Sequence, residues 1–244
     1  MKLLALDFDG VISDSAPESF HVALRTWRAL RPESRIGEDV YGAFLEMMPL
    51  GNRAEDYAVE LLALDSGREI KDQQDYDAFK AGCDADGLRA FHKRFYRERA
   101  QLFREDPGAW FALMRPYAPF LDVLRRRAGE VELAIATSKD RGSATRLLEA
   151  YSVGELFPEG RVLDKETGVS KAAHLTHLHD VTGLSYADMT FVDDKVNHLL
   201  DVQPLGVRCV LAAWGYNGVR EHDVARARDC LVCTLDDVEQ TLFP

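Results

Sequence analysis

The chain opens, after two residues, with Leu3-Leu4-Ala5-Leu6-Asp7-Phe8-Asp9-Gly10, an apolar run that ends in two carboxylates. A short apolar run bounded by polar residues is typical of a buried strand. Because side chains alternate along a strand, Asp7 and Asp9 would point the same way, and Gly10 would let the backbone turn after them. Two carboxylates about 4 Å apart repel by roughly 4 kcal/mol at an effective dielectric constant of 20. Either one of them holds a proton, or a cation lies nearby.

Three later segments have the same apolar character, at residues 131–136, 189–192 and 207–211. Segments with helical spacing lie between them, at residues 141–151 and 171–182. Strands that alternate with helices predict an α/β fold with a doubly wound parallel sheet. Ligands of such sheets bind at the carboxyl ends of the strands, which is where Asp7, Thr137 and Asp193 fall.

The stretch between the first two predicted strands has a different character. It is rich in Ala, Leu, Arg and Glu, shows helical runs at 18–29, 54–64 and 76–103, and contains no convincing strand. We predict a helical insert of residues 15–115 within a core domain of residues 1–14 and 116–244. Prolines near both crossings mark them as non-helical joints, consistent with a two-stranded hinge. Three arginines of the insert are expected on a solvated helix face: Arg94, Arg97 and Arg99.

Composition limits the classes of function. With 244 residues and 46% hydrophobic content, the chain is long enough to bury a large core. Its four cysteines are too few and too unevenly spaced for a secreted disulfide framework, and Cys230 and Cys233 lack the further ligands of a zinc site. We therefore expect ordinary thiols and a cytoplasmic location, with no export signal or membrane span. A net charge of −11 disfavours binding to nucleic acid and to anionic membranes.

Two further acids follow the predicted strand at 189–192, as the pair Asp193-Asp194. Taken alone, such a pair also fits a turn followed by a helix cap. Together with Asp7 and Asp9, however, it would bring four acids to one edge of the sheet, and this argues for a bound cation. Oxygen ligands without histidine or cysteine favour Mg²⁺ over zinc.

Phosphate-binding groups are predicted at the same edge. The stretch Thr137-Ser138-Lys139 supplies hydroxyl groups and backbone amides at the start of a helix, and this combination binds phosphate oxygens. Lys171, at the start of another predicted helix, would add a positive charge to the same phosphate. Lys165 is the alternative, and we favour Lys171 because it begins an amphipathic helix. In the insert, Arg53 could reach an anionic substrate, or simply face solvent at the start of a helix.

The motifs and their order resemble those of the haloacid dehalogenase superfamily. The first motif spans residues 7–15, and Thr137, Lys171 and the pair Asp193-Asp194 match the second, third and fourth. The resemblance covers residues 1–14 and about 116 to 244. It implies a Rossmann-like core with a mobile helical cap, in the branch that includes phosphoglycolate phosphatases and beta-phosphoglucomutase.

The resemblance also assigns roles to the acids. It implies that Asp7 is the nucleophile and becomes an aspartyl phosphate, while Asp9 protonates the leaving oxygen and later activates water. It implies Mg²⁺ bound by the Asp7 carboxylate, the Asp9 backbone carbonyl and the pair Asp193-Asp194. Thr137 and Lys171 would hold the phosphoryl oxygens.

One departure concerns the fourth motif. His198 stands where many relatives carry a further acid, so the roles of Asn197 and His198 are open. The presence of an aspartate at position 9 favours the phosphomonoester branch over relatives that cleave carbon–halogen or carbon–phosphorus bonds.

The predicted function is Mg²⁺-dependent hydrolysis of a small phosphorylated metabolite through an aspartyl phosphate on Asp7. The alternatives are a phosphomutase, a phospho-aspartate signalling module and a catalytically silent binding protein. A signalling receiver carries its acid pair before the phosphorylated aspartate, which is the reverse of the order here. The substrate would be chosen by the insert, whose sequence names neither the substrate nor an oligomeric state.

Overall fold

The computed structural model describes residues 1–51, 53–168 and 170–243. These ranges contain eight strands, in chain order β1 Leu3–Leu6, β2 Ser13–Asp14, β3 Arg115–Pro116, β4 Glu132–Ala136, β5 Val162–Leu163, β6 Met189–Asp193, β7 Arg208–Ala212 and β8 Leu231–Cys233. The same ranges contain twelve α-helices: α1 Ala16–Leu30, α2 Tyr41–Met47, α3 Ala54–Ser66, α4 Gln73–Ala81, α5 Ala85–Glu105, α6 Pro107–Ala112, α7 Ala118–Arg126, α8 Arg141–Ala150, α9 Lys171–Thr182, α10 Val196–Val202, α11 Val219–Ala227 and α12 Val238–Leu242. None of the described helices combines the length and the apolarity that a membrane span requires.

Six strands form one parallel sheet in the order β5-β4-β1-β6-β7-β8. Strand β1 lies between β4 and β6, and all four of its side chains are fully buried. Leu6 pairs with Ile135 on one side and with Val192 on the other, so the three strands end at the same level. The predicted α/β fold with a doubly wound parallel sheet is confirmed. Because parallel strands share one carboxyl edge, Asp7 leaves the sheet at the centre of that edge.

The chain divides into two compact units. One unit comprises Met1–Asp14 and Arg115–Pro244, and the other comprises Ser15–Met114. The short strands β2 and β3 pair antiparallel at the crossing, with Ser13 opposite Pro116 and Asp14 opposite Arg115. The sequence prediction had set the second boundary one residue later, between residues 115 and 116.

The helical unit differs from the prediction at one place. Residues 76–103 were predicted as one helical run, but α4 ends at Ala81 and α5 begins at Ala85. The break has a local cause, since the Asp84 side chain accepts hydrogen bonds from the backbone of Asp86 and Gly87 and so caps α5. No strand occurs among the described residues between 15 and 114, as the sequence predicted.

A buried ion pair joins helices within this unit. Glu18 on α1 is fully buried, and its carboxylate accepts two hydrogen bonds from Arg99 on α5, at 2.7 and 2.6 Å. The indole of Trp110 donates a third, at 3.2 Å. The expectation that Arg99 lies on a solvated face is therefore wrong, because the acid that binds it comes from a distant part of the sequence.

The four cysteines are free thiols, three of them buried. Cys233 lies in β8 and Cys230 precedes that strand.

Candidate active site

Asp7 stands directly after β1, at the centre of the carboxyl edge. Its backbone N–H donates to the carbonyl oxygen of Val192 at 2.9 Å, which continues the sheet pairing by one residue. The residue is 7% exposed, and Oδ1 of its carboxylate accepts from the backbone of Phe8 at 2.7 Å and lies 2.7 Å from Nζ of Lys171. Burial is the main cause of a raised pKa for Asp7, and Lys171 opposes it. Both described contacts engage Oδ1, so Oδ2 is the oxygen that can form a new bond.

Lys171 is the first residue of α9, whose start is fixed by the Ser170 hydroxyl accepting from the backbone of Ala173. Its buried ammonium donates to the carbonyl oxygen of Ala136 at 2.7 Å, and it contacts the carboxylates of Asp7 at 2.7 Å and Asp193 at 3.3 Å. Burial favours the neutral amine, yet the two carboxylates outweigh it and raise the pKa of Lys171. Lys165 is exposed. The structure therefore brings Lys171, and not Lys165, to Asp7.

Asp193, the last residue of β6, is fully buried and has both oxygens engaged. Its Oδ1 accepts from the backbone of Lys195 at 2.9 Å, and its Oδ2 lies 3.0 Å from Nδ1 of His198 and 3.3 Å from Nζ of Lys171. Burial favours the protonated acid, but His198 and Lys171 outweigh it and lower the pKa of Asp193. His198, whose role the sequence left open, thus holds this carboxylate.

Asp194 is buried as deeply, but one of its oxygens is unsatisfied. Its Oδ2 accepts from the backbone of Tyr216 at 2.8 Å, while Oδ1 has no hydrogen-bond partner among the described residues. A Cβ at Gly10, which has φ +79°, or at Gly215 would collide with the Asp194 side chain, so the two glycines form a close cradle around it. Burial and the nearby charge of Asp193 hold the pKa of Asp194 well above its usual range.

These donors fit a small, hard cation. Asp194 offers such a cation a buried carboxylate with one unsatisfied oxygen. Burial and the charges of Asp193 and Asp7 raise its pKa, so a bound cation would stabilise the ionised form. A second arrangement, in which ligand atoms of Asp7, Asp193 and His198 lie within 4.8 Å of one another, fits less well. The ammonium of Lys171 already contacts Oδ1 of Asp7 and Oδ2 of Asp193, and it would repel a metal ion bound to those two oxygens together. The sequence predicts both Asp193 and Asp194 as metal ligands, and of these two it is Asp194 that has an unsatisfied oxygen.

Replacing Asp194 by asparagine should separate metal binding from folding. Because the pKa of Asp194 is raised in the folded protein, the ionised carboxylate destabilises the fold increasingly as the pH rises above the ordinary value for aspartate. In EDTA at pH 8, the free energy of unfolding of Asp194→Asn should therefore exceed that of wild type by about 1 kcal/mol or more, and the variant should unfold at a higher temperature. Added Mg²⁺ should stabilise wild type but not the variant.

Thermal unfolding with and without Mg²⁺ checks this, with Asp201→Asn on α10 as an exposed control. Equal stabilisation of wild type and Asp194→Asn by Mg²⁺ would contradict the assignment.

The stretch predicted to bind phosphate, Thr137-Ser138-Lys139, lies beside these acids. Thr137 is buried, and its backbone N–H donates to the carbonyl oxygen of Leu163 at 2.9 Å. Its Oγ1 accepts from the backbone of Lys139 at 3.1 Å, and Ser138 between them is exposed. The ammonium of Lys139 is buried and lies 3.0 Å from Oδ1 of Asp9. The sequence pattern assigned no role to Lys139, because its spacing from Thr137 does not show that it pairs with Asp9.

Arg53 lies in the helical unit, at the cap position of α3. It is exposed, and its backbone N–H donates to the Asp56 carboxylate at 3.0 Å, as in a capping box. Its contact with a substrate stays a prediction.

Comparison with known proteins yields a family match and several relatives. A family model described as haloacid dehalogenase-like hydrolase matches residues 1–200. The human protein named magnesium-dependent phosphatase 1 is 28% identical over 106 residues, which make up 43% of this chain and 58% of that protein. The chain therefore spans little more than half the length of this curated relative.

Solved structures match along nearly the whole chain. A protein from Haemophilus somnus, described as a predicted phosphoglycolate phosphatase, has a TM-score of 0.70 at 18% identity and covers 99% of this chain and 98% of its own. A haloacid dehalogenase-like family hydrolase from Streptococcus pneumoniae has a TM-score of 0.67 at 12% identity and the same coverage. At these identities the likeness establishes the shared fold.

Proposed function

The chain belongs to the haloacid dehalogenase-like hydrolases, and on this basis we propose that it hydrolyses a small phosphomonoester through an aspartyl phosphate on Asp7. One observation carries the proposal. The buried carboxylate of Asp7 keeps Oδ2 available while Lys171 holds its Oδ1, beside the unsatisfied oxygen of Asp194. Phosphoryl transfer requires a nucleophile, a positive charge held in place and an oxygen that can bind a metal ion. Asp7, Lys171 and Asp194 supply these three groups.

In the first half-reaction, Oδ2 of Asp7 attacks phosphorus and the bond between phosphorus and the leaving oxygen breaks. The leaving oxygen takes a proton from the Asp9 carboxyl group and departs as an alcohol. Lys171 stabilises the negative charge, while Thr137 and the backbone amides that follow it hold the phosphoryl oxygens. The products at this stage are the alcohol, the aspartyl phosphate and the Asp9 carboxylate.

In the second half-reaction, water attacks the phosphorus of the aspartyl phosphate and gives a proton to Asp9. The bond between phosphorus and Asp7 then breaks, which releases inorganic phosphate and restores both side chains. Each turnover thus consumes one ester and one water. Asp9 remains 35% exposed at its side chain, as a group that exchanges protons with substrate and water must be.

Mg²⁺ would be held by Asp194, the Asp7 carboxylate and the backbone carbonyl of Asp9, with Asp193 positioned by Lys171 and His198 beside them. When bound, the ion would neutralise charge on the phosphoryl oxygens. The inserted helical unit, Ser15–Met114, is proposed as the cap that selects the substrate, with Arg53 as a candidate for contact with an anionic group.

The test is a panel of small phosphomonoesters, assayed for phosphate release by the full chain with Mg²⁺ and in EDTA. We expect release that depends on Mg²⁺. An isomerised sugar phosphate without phosphate release would instead identify a mutase. A phosphorylated form that persists for hours would favour a signalling role, and no turnover on a broad panel would favour a silent binding protein.

A further inference from the structure

A buried lysine that has no part in the scheme above lies beside Asp9. The side chain of Lys139 is 2% exposed, and its Nζ lies 3.0 Å from Oδ1 of Asp9. The ammonium also lies 5.7 Å from the centre of the Phe8 ring. Burial of an ammonium is costly unless its hydrogens are accepted, and Oδ1 of Asp9 accepts one of them whether or not Oδ2 carries the proton that the leaving oxygen takes.

Backbone hydrogen bonds fix both partners of the pair. On one side, the N–H of Lys139 donates to Oγ1 of Thr137, and the N–H of Thr137 donates to Leu163 of β5. On the other side, the N–H of Gly10 donates to the carbonyl oxygen of Ser13 at 2.8 Å, immediately after Asp9. Lys139 is therefore fixed after the end of β4 and Asp9 after the end of β1. A lysine fixed in this way can hold the Asp9 carboxyl group in one orientation.

We infer that Lys139 is a positioning residue that grips Oδ1 of Asp9, so that Oδ2 faces the leaving oxygen of the substrate. This inference rests on the proposed function, because it assigns Lys139 a part in the departure of the leaving group. Lys139 then acts through Asp9 and does not bind the transferred phosphoryl group. Replacement of Lys139 should therefore lower kcat/KM most for esters whose leaving group must be protonated.

The test compares phenyl phosphate with p-nitrophenyl phosphate, because p-nitrophenolate departs readily without a proton and phenolate does not. Values of kcat/KM are used because they report on steps up to the departure of the leaving group. Lys139→Met should lower kcat/KM on phenyl phosphate about 100-fold, at the lower end of what general acids contribute. On p-nitrophenyl phosphate the loss should be only a few-fold. Inhibition by inorganic phosphate should match wild type, and Lys139→Arg should recover part of the activity on phenyl phosphate.

A double-mutant cycle with Asp9→Asn shows whether Lys139 acts through Asp9. The Asp9→Asn variant has no acid at position 9 for Lys139 to orient. In this background, adding Lys139→Met should lower kcat/KM on phenyl phosphate by no more than a few-fold. Lys165→Met, which replaces an exposed lysine of the same unit, is the matched control and should leave both esters unaffected. Thermal unfolding reports whether each variant folds, and Lys139→Gln replaces Lys139→Met if the latter does not.

Equal losses on the two esters, weaker inhibition by phosphate, or an undiminished further loss in Asp9→Asn would overturn the inference. Such results would make Lys139 a direct phosphoryl ligand or a structural residue. Failure of the wild-type chain to hydrolyse any ester of the broad panel, these two included, would overturn the phosphatase proposal, and this inference with it.

Discussion

Asp7→Asn should abolish phosphate release, with kcat lower than wild type by about 10⁴-fold or more, because an amide cannot form the aspartyl phosphate. The substitution keeps the shape of the side chain and an oxygen that can accept from Phe8 and Lys171. It also removes a buried carboxylate. Because burial raises the pKa of Asp7, loss of this charge should not destabilise the fold, and the variant should fold. The loss should therefore be chemical in origin.

Two measurements check this result. Phosphate release under saturating Mg²⁺ gives the loss in rate, and rapid quenching followed by mass spectrometry of the peptide containing residue 7 detects the intermediate. Wild type should carry one phosphoryl group on that peptide, and Asp7→Asn should carry none. Asp201→Asn, an exposed aspartate of the same unit, is the control and should retain full activity. Substantial turnover by Asp7→Asn would exclude the mechanism.

Elements with strong local signals were predictable from the sequence. Strand β1 has the predicted bounds because four apolar residues are followed directly by Asp7. Helix α9 has the predicted bounds because Ser170 caps its start and Gly183, in the left-handed conformation, ends it. The register of β1 with its neighbours then brings Asp7, Thr137 and Asp193 to one edge, as parallel pairing requires.

Features that depend on contacts between distant residues were not predictable. The sequence makes Asp193 and Asp194 equivalent, but their surroundings differ, since Lys171 and His198 hold Asp193 while Asp194 keeps an unsatisfied oxygen. The pairing of Lys139 with Asp9 joins two loops that follow different strands. Side-chain partners of this kind depend on the packed fold, because local spacing does not specify them.

The last prediction concerns Lys171, whose loss should affect stability and activity together. Lys171→Met would leave the buried carboxylates of Asp7 and Asp193 without their shared ammonium. Breaking a buried pair from one side costs about 3–5 kcal/mol, and we expect a loss of this size in the free energy of unfolding in EDTA at pH 8. Removing a charged group that stabilises the transferring phosphoryl should also lower kcat by about 10²- to 10³-fold.

The loss of stability in Lys171→Met should depend on pH. Because the pKa of Lys171 is raised in the folded protein, its stabilising effect is complete at neutral pH and is lost only in strong alkali. The loss of stability in Lys171→Met should instead become smaller as the pH falls, because burial raises the pKa of Asp7 and protonation removes its unpaired buried charge. Urea unfolding at pH 5 and pH 8 measures both values, with Lys165→Met as a control that should stay within about 0.5 kcal/mol of wild type. A pH-independent deficit, or a larger one in Lys165→Met, would mean that the ammonium of Lys171 does not hold these carboxylates in place.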